Sequence, residues 1–239
     1  MALAVVPAAG RSRRMGRPKL LLPFGEGTVL GATLAALAGG GARRIAVVAR
    51  PDDPRLAAWL AGPAIEEVAE RLRERGGGAG GAARPPELLV AFNPDPERGM
   101  LSSVLAGLDA LAGGAAGEGD APEGAPLRPA EPLLACPADL PALAAETVAA
   151  VLRGLAAAGA RPGDRRGLAV PVHAGRRGHP LAIAPRLVPE IPGLDPAVGL
   201  RQLLERHPDE AAEVPVDDPG CVRDLDTPED YRELGGSPP

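Results

Sequence analysis

The segment PAAGRSRRMGRPKL, residues 7–20, concentrates positive charge on a loop punctuated by glycines. It carries four arginines and Lys19, the only lysine among the 26 basic residues of a chain whose net charge is −5. Cations beside free backbone amides are suited to a triphosphate, because both can neutralise phosphate oxygens. The spacing of Gly10 and Gly16 fits neither the dinucleotide motif G-x-G-x-x-G nor the P-loop G-x-x-x-x-G-K-[ST]. The alternative is a solvated run of arginines in an arginine-rich protein.

Two acidic segments could hold a divalent cation against such a phosphate. Asp139 lies just beyond the apolar run of strand length at 132–136, where a carboxylate can leave a sheet. In RDLDTPEDY (223–231), Asp224 and Asp226 lie on one face if the chain is extended there. Mg²⁺ is usually held by one or two carboxylates together with phosphate oxygens and water. The structural alternatives are a turn or helix cap at Asp139, and capping of the helix after Thr227 by Asp226 or Thr227 itself.

The elements that must position these groups alternate along the chain. Short apolar runs predict strands at 3–6, 44–49, 87–92, 132–136, 167–172, 180–184 and 212–216. Longer Ala- and Leu-rich segments predict helices around 28–38, 63–75, 101–112, 141–158, 199–206 and 228–234. Continuously apolar strands are typical of parallel sheets buried on both faces. We therefore predict an α/β fold, a single-domain Rossmann-like three-layer sandwich with helices on both faces of a mostly parallel sheet.

Two Gly- and Pro-rich stretches, near 76–86 and 113–131, interrupt this alternation. They have little to bury, so we predict flexible surface loops there and a short disordered tail at the C-terminus. Strands of the same predicted sheet lie on both sides of each stretch. One domain over residues 1–239 is therefore expected.

Composition and charge exclude several functional classes. The mild acidity disfavours nucleic-acid binding, which needs a basic face. No apolar run reaches the about 18 residues of a membrane-spanning helix, and the N-terminal charges follow the apolar run, the reverse of a secretory signal. Cys136 and Cys221 are too far apart to suggest a zinc motif or a disulfide framework. We expect a soluble cytoplasmic protein with reduced thiols.

Five motifs follow one another along the chain: AAGRSRRMGRPKLLLPFG (8–25), NPDPERGMLSSVLAGL (93–108), CPADLPAL (136–143), GRRGHPLAI (175–183) and RDLDTPEDY (223–231). In this order they resemble the motifs of the MobA-like nucleotidyltransferases, particularly the molybdenum cofactor cytidylyltransferases. The resemblance implies transfer of CMP from CTP to the terminal phosphate of molybdopterin, with release of pyrophosphate. It also implies Mg²⁺, or Mn²⁺, as the cofactor.

The same resemblance implies roles for individual residues. Lys19, Arg14 and Asp139 would be catalytic. The metal would be held by Asp139 and Asp226, with Asp224 as the second choice in place of Asp226. The nucleotide would be bound by Ala8, Ala9, Gly10, Ser12, Arg14, Met15, Gly16, Lys19, Asn93, Gly99, Met100, Ser102 and Ser103. For the serines, simple capping of a helix start is the structural alternative.

Three further implications concern specificity and surface charge. Guanylyl members of the family usually have Gly-Gly where this chain has Ala9 and Gly10, which favours a cytidylyltransferase. Gly178 and His179 would lie at the rim of the acceptor pocket, although His179 could equally be a buried polar residue of a turn. Arg11, Arg13 and Arg17 fall on variable positions of the first motif and are interpreted as surface charge.

Other functions stay open at this point. One is a guanylyltransferase of the same cofactor. Another is a methylerythritol phosphate cytidylyltransferase, because the segment VVPAAG of this chain resembles a motif of that family. A third is a non-catalytic nucleotide-binding module, since CPADLP departs from the family's commoner G-D-Q/M-P. The expected partners are CTP and molybdopterin or the molybdenum cofactor. A molybdenum-hydroxylase apoenzyme or its maturation factor is a further candidate, and nucleic acids and membranes are not expected.

Overall fold

Strands and helices alternate in the computed structural model, which describes residues 1–12, 14–74, 86–113, 130–159 and 166–235. The strands are β1 (Ala2–Pro7), β2 (Pro23–Phe24), β3 (Gly27–Thr28), β4 (Ala42–Ala49), β5 (Glu87–Phe92), β6 (Leu133–Ala135), β7 (Leu168–His173), β8 (Arg176–Arg177), β9 (Leu181–Ile183) and β10 (Ala211–Pro215). The helices are α1 (Val29–Gly39), α2 (Pro54–Ala61), α3 (Ala64–Glu74), α4 (Met100–Gly113), α5 (Ala145–Gly159), α6 (Arg201–Arg206) and α7 (Pro228–Glu233). Short 3₁₀ segments include Pro96–Arg98 and Pro185–Gly193.

Within the described residues, one eight-stranded sheet has the order β10-β7-β9-β6-β1-β4-β5, with β8 paired to β7. β1 pairs in parallel with both β4 and β6, and the pairs β4–β5 and β7–β10 are also parallel. β9 is antiparallel to its neighbours β6 and β7. The sheet is therefore mixed but mostly parallel, as predicted.

Helices cover both faces of this sheet. On one face, α1, α3 and α5 pack with the sheet around a core that includes Leu34, Ile45 and Val148. On the other face, α4 and the segment Pro185–Gly193 pack around a core that includes Val5 and Leu108. Successive side chains of β1 alternate between the two cores, which explains why its whole sequence is apolar. The predicted three-layer α/β fold is confirmed.

Some local features differ from the predictions. Helix α2 was not predicted, although Asp53 caps it by accepting a hydrogen bond from the backbone N–H of Leu56 at 3.0 Å, with proline in the first turn. The predicted helix from residue 141 begins only at Ala145, because the distant Asp218 carboxylate accepts hydrogen bonds from the backbone of Ala144 and the hydroxyl of Thr147. The predicted flexible loops and tail fall almost wholly outside the described residues.

Two predicted absences can be compared with the structure. Among the described helices, none is long and apolar enough to cross a membrane. Cys136 and Cys221 are both buried free thiols. Burial raises the pKa of Cys221 to about 11, so that thiol stays protonated at neutral pH.

The sheet order places a binding crevice beside β1. The chain passes from β1 to β4 on one side and returns later to β6 on the other side. Loops that leave the carboxyl ends of strands at such a switch point diverge, and ligands bind in the crevice between them. The loop after β1 contains Lys19, and the loop after β6 contains Asp139.

Candidate nucleotide-binding site

A cleft of about 350 Å³ opens at the carboxyl ends of β1 and β6. Asp139 and Asp226 both line it. Of the residues predicted to bind nucleotide, those that line it are Ala8, Ala9, Gly10, Ser12, Arg14, Lys19, Gly99, Met100 and Ser103. Residues from five separate motifs of the sequence contribute to this region of the protein, counting the adjoining cleft described below.

The Lys19 ammonium lies at the centre of the cleft floor. Its Nζ donates hydrogen bonds to Asp139 Oδ2 at 2.5 Å, to the Leu225 carbonyl at 2.6 Å and to Asp226 Oδ1 at 3.0 Å. The side chain is only 12% exposed. Burial acts to lower the pKa of Lys19, but the charges of and hydrogen bonds to Asp139 and Asp226 outweigh it and raise the pKa above its ordinary value. Lys19 is therefore positively charged at neutral pH.

The loop after β1 turns sharply to bring Lys19 to this position. Ser12, at φ +50°, and Gly16, at φ +70°, adopt the left-handed conformation that reverses the chain. The Ser12 hydroxyl accepts a hydrogen bond from the Lys19 backbone N–H at 3.3 Å, and the Ser12 carbonyl accepts one from Met15 at 3.1 Å. Through its hydroxyl and its carbonyl, Ser12 therefore holds two later residues of the loop, Lys19 and Met15.

A small separate core holds the C-terminal segment against this loop. Met15, Leu22, Val29, Leu225 and Tyr231 form it. The Tyr231 hydroxyl also donates a hydrogen bond to the carbonyl of the residue that begins β2. Met15, predicted to bind nucleotide, is therefore buried in this core and is not among the residues that line the cleft. Burial of Leu225 turns the aspartates on either side of it outward.

The start of α7 fixes the position of Asp226. The Asp230 carboxylate accepts hydrogen bonds from the backbone of Asp226 at 3.0 Å and of Thr227 at 2.7 Å, and Thr227 caps the helix in return. Burial opposes ionisation of Asp230, but these hydrogen bonds lower its pKa below the ordinary value. The helix cap therefore leaves the Asp226 carboxylate to the cleft, so capping and a ligand role are compatible.

Two other charged residues, Arg14 and Asp224, border the centre formed by the Lys19 ammonium and its two carboxylate partners. Exposed Arg14 places Nη2 at 2.7 Å from Asp226 Oδ2. Partial burial and the neighbouring Asp139 raise the pKa of Asp224, and the hydrogen bonds of Lys19 go to Asp226 instead. Arg17 is half-buried in the same loop, and Arg13 lies outside the described residues.

The segment 93–103 is organised around Asn93, which is 2% exposed. Its amide donates hydrogen bonds to the hydroxyls of Ser102 at 2.8 Å and Ser103 at 2.9 Å, and its carbonyl oxygen accepts one from Asp95 at 3.0 Å. Asn93 and Ser102 thus shape the start of α4, while Ser103 also borders the cleft. Met100, next to them, is 58% exposed.

A cluster of charges that sequence reasoning missed joins the loops around the cleft. Arg50, directly after β4, is 8% exposed and donates hydrogen bonds to Asp52 at 2.8 Å and to the Ala9 carbonyl at 3.3 Å. Arg11, predicted to be surface charge, pairs with Glu97 at 3.1 Å and with Asp52 at 3.7 Å. The available signal was the place of Arg50 immediately after a buried strand at the carboxyl edge of the sheet.

A second cleft of about 540 Å³ adjoins the first, and the two share Pro7, Gly99, Met100 and Pro137. Its walls are mostly apolar and include Leu101, Val104, Leu181, Val198, Leu200 and Leu204. The predicted acceptor residues, Gly178 and His179, line it.

Glycine is required at position 178, because a Cβ there would lie 2.3 Å from the Cys221 carbonyl oxygen. In the part of the chain that the structure describes, His179 Nδ1 is buried and has no hydrogen-bond partner. Burial lowers the pKa of His179, while the charges of Asp224 and Asp139 act in the opposite direction. The imidazole is therefore neutral at pH 7, with one unsatisfied nitrogen beside an apolar cleft.

Comparison with known proteins identifies the family. Among solved structures, the chain is similar to Rv0371c from Mycobacterium tuberculosis H37Rv, at 26% identity and a TM-score of 0.61, with 99% of this chain and 97% of that chain covered. It also has the fold of a nucleotidyl transferase from Methanothermobacter thermautotrophicus (Mth528), at 22% identity and a TM-score of 0.60, with 98% and 95% covered. The 4-diphosphocytidyl-2C-methyl-D-erythritol synthase from Anaerococcus prevotii DSM 20548 shares the fold at 14% identity and a TM-score of 0.59, with 98% and 96% covered.

No curated protein matches the chain significantly. The profile of the family described as the MobA-like NTP transferase domain, however, matches residues 4–211. That range contains most of β1 and the loop after it, which carries Lys19. It also contains β6 and the loop after it, which carries Asp139. The chain therefore belongs to the MobA-like NTP transferase family and is a nucleotidyltransferase.

Proposed function

We propose that the protein transfers CMP from CTP to the terminal phosphate of molybdopterin and releases pyrophosphate. The observation that carries this proposal is the Lys19 ammonium held between Asp139 and Asp226 in a cleft at the switch point of the sheet. An oxygen of the acceptor phosphate would form a bond to the α-phosphorus of CTP. The bond from that phosphorus to the bridging oxygen of the β-phosphate would break, and pyrophosphate would leave with the electron pair.

The side chains of the cleft suit this chemistry. Negative charge builds on the α-phosphate and on the leaving group, and Lys19 and Arg14 are placed to neutralise it. The acceptor phosphate is already ionised at neutral pH, so no general base is needed. Positioning and electrostatic stabilisation carry such transfers. The backbone of Ala8 to Gly16 would bind the nucleotide, with the methyl group of Ala9 favouring cytosine over guanine.

Asp139 and Asp226 are the residues that would hold a divalent cation. The donor set fits, because two carboxylates and the Leu225 carbonyl already converge on one cationic atom. No group of three His, Cys, Asp or Glu side chains that could hold a metal occurs in the described ranges, so phosphate oxygens would complete the shell. A bound Mg²⁺ or Mn²⁺ there would stabilise phosphate charge as a Lewis acid. A crystal structure of Rv0371c in complex with manganese supports a divalent metal in this fold.

The adjoining cleft supports an acceptor with a flat ring body. Its mostly apolar walls, with exposed Met100 at the junction, suit ring faces better than a polyol chain. Arg177 and Arg201 also line it, but a polyol such as methylerythritol phosphate would find few other side-chain partners for its hydroxyl groups, and each group left without a partner costs about 1–3 kcal/mol. These features favour molybdopterin over the methylerythritol acceptor.

The test is pyrophosphate release from each of the four nucleoside triphosphates, with molybdopterin or methylerythritol phosphate as acceptor, in the presence and absence of Mg²⁺. Of the four triphosphates, we expect only CTP to give pyrophosphate, and only when the metal is present. Release from GTP instead would assign the guanylyl reaction. Release only with methylerythritol phosphate would replace the acceptor, and no release with any pair would favour a non-catalytic module. Asp139→Asn, with its fold checked by circular dichroism, is the negative control for the site.

A further inference from the structure

The Lys19 ammonium occupies the position where the carboxylate oxygens converge. An ammonium nitrogen has three hydrogens, and Lys19 Nζ has three acceptors within 3.0 Å: Asp139, the Leu225 carbonyl and Asp226. Every donor of the ammonium is therefore used inside the protein. A second cation cannot enter the same point while the ammonium stays there.

The charges of Asp139 and Asp226 are also balanced without any metal by the two cations that contact them. Lys19 and Arg14 supply two positive charges, and Asp139 and Asp226 supply two negative charges. A free divalent cation would therefore meet carboxylates that are already neutralised, and it would have to displace a largely buried ammonium from its three acceptors. A nucleoside triphosphate changes this balance, because it brings four negative charges and many oxygen acceptors.

We propose that Lys19 and the divalent metal are alternative occupants of the Asp139–Asp226 pair, and that the triphosphate exchanges one for the other. Before nucleotide binds, the ammonium keeps the two carboxylates together and excludes free metal. The metal then enters with the triphosphate, and Lys19 passes from the carboxylates to phosphate oxygens. The proposal rests on the proposed function only in requiring a nucleoside triphosphate as substrate.

The first test measures binding of Mn²⁺ alone by electron paramagnetic resonance, with no nucleotide present. Lys19→Met removes the competing ammonium but keeps an unbranched side chain. We expect it to bind Mn²⁺ at least about tenfold more tightly than the wild-type protein, which corresponds to ~1.4 kcal/mol. Arg17→Met is the matched control, since it removes the same charge from the same loop, and its affinity should equal that of the wild type. The double variant Lys19→Met/Asp139→Asn should lose the gain.

The second test uses the wild-type protein and the fact that Lys19 is its only lysine. After labelling with ¹⁵N- and ¹³C-lysine, the side-chain resonances of the protein report on this ammonium alone. We expect millimolar Mg²⁺ by itself to leave them unchanged. Addition of Mg²⁺ together with CTP should shift them. CTP with EDTA, which removes the metal, should give a spectrum that differs from the one with Mg²⁺ and CTP.

The outcomes separate the exchange from the proposed function. The exchange is refuted if folded Lys19→Met binds Mn²⁺ no more tightly than the wild type, or if Mg²⁺ alone moves the lysine resonances. If neither Lys19→Met nor Lys19→Gln folds, the resonances of the wild-type protein decide. If CTP has no effect but another triphosphate shifts the resonances with Mg²⁺, the exchange stands and the choice of CTP is wrong.

Discussion

Replacement of Lys19 by arginine keeps the charge but changes the geometry of its hydrogen bonds. The ammonium satisfies three acceptors from one nitrogen, at 2.5, 2.6 and 3.0 Å. A guanidinium nitrogen carries at most two hydrogens, and the group is planar, so its donors cannot converge on one point in the same way. We therefore expect Lys19→Arg to leave at least one of Asp139, Asp226 and the Leu225 carbonyl without its donor.

The size of the effect follows from the number of bonds lost and their burial. A hydrogen bond to a charged group contributes about 1.5–3 kcal/mol. The side chains of Lys19, Asp139 and Asp226 are 12%, 17% and 28% exposed, respectively, so water screens part of this contribution. We expect a loss of about 1–2 kcal/mol, which lowers Tm by roughly 2–8 °C for a chain of this length. A loss of about 1–2 kcal/mol in the contacts of Lys19 with the phosphates in the transition state would lower kcat/KM for CTP roughly 5- to 30-fold.

The assay combines thermal unfolding without ligand and pyrophosphate release with CTP and molybdopterin. Arg17→Lys is the matched control, because it makes the reverse exchange in the same loop away from the two carboxylates, and it should change stability by less than about 0.5 kcal/mol. A Lys19→Arg protein with wild-type Tm and wild-type turnover would refute the reasoning. It would show that any cation, whatever its shape, serves at this position.

Three further changes test other parts of the site. Arg50→Met removes the bond to the loop after β1, so the KM for the nucleotide should rise roughly tenfold with kcat changed less than about threefold. Asp230→Asn removes an acceptor whose pKa is lowered by hydrogen bonds from Thr227 and from the backbone of Asp226. It should reduce the free energy of unfolding at pH 7, and this deficit should shrink as pH falls below about 4, as urea titrations would show. Gly178→Ala, which forces a methyl group towards the Cys221 carbonyl, should raise the acceptor KM but leave the nucleotide KM unchanged in steady-state assays.

The parts of the site that the sequence could predict are those tied to the ends of strands. Lys19 and Asp139 each follow an apolar run, and parallel strands place their carboxyl ends at one edge of a sheet. Their convergence therefore follows from the order of the elements. The layered fold followed from the same apolar pattern, because strands buried on both faces require helices on both faces.

The remaining features depend on contacts between residues far apart in the chain. Asp226 reaches Lys19 because Met15, Leu225 and Tyr231 pack into a small separate core, and no local pattern reveals such packing. Arg50 was overlooked because one more arginine carries little information in an arginine-rich chain. Asn93 illustrates the reverse problem, since a motif marks the residue but only the structure shows that its amide bonds to two serines.

The most direct measurement follows the phosphorus atoms of the nucleotide. CTP labelled with ³²P at the α-phosphate or at the γ-phosphate would be incubated with the protein, Mg²⁺ and molybdopterin, and the products separated. We expect the α label in the acceptor product and the γ label in pyrophosphate, with neither transfer in Asp139→Asn. Transfer of the γ label to the acceptor, or retention of both labels in CTP with every acceptor and nucleotide tried, would contradict nucleotidyl transfer at this cleft.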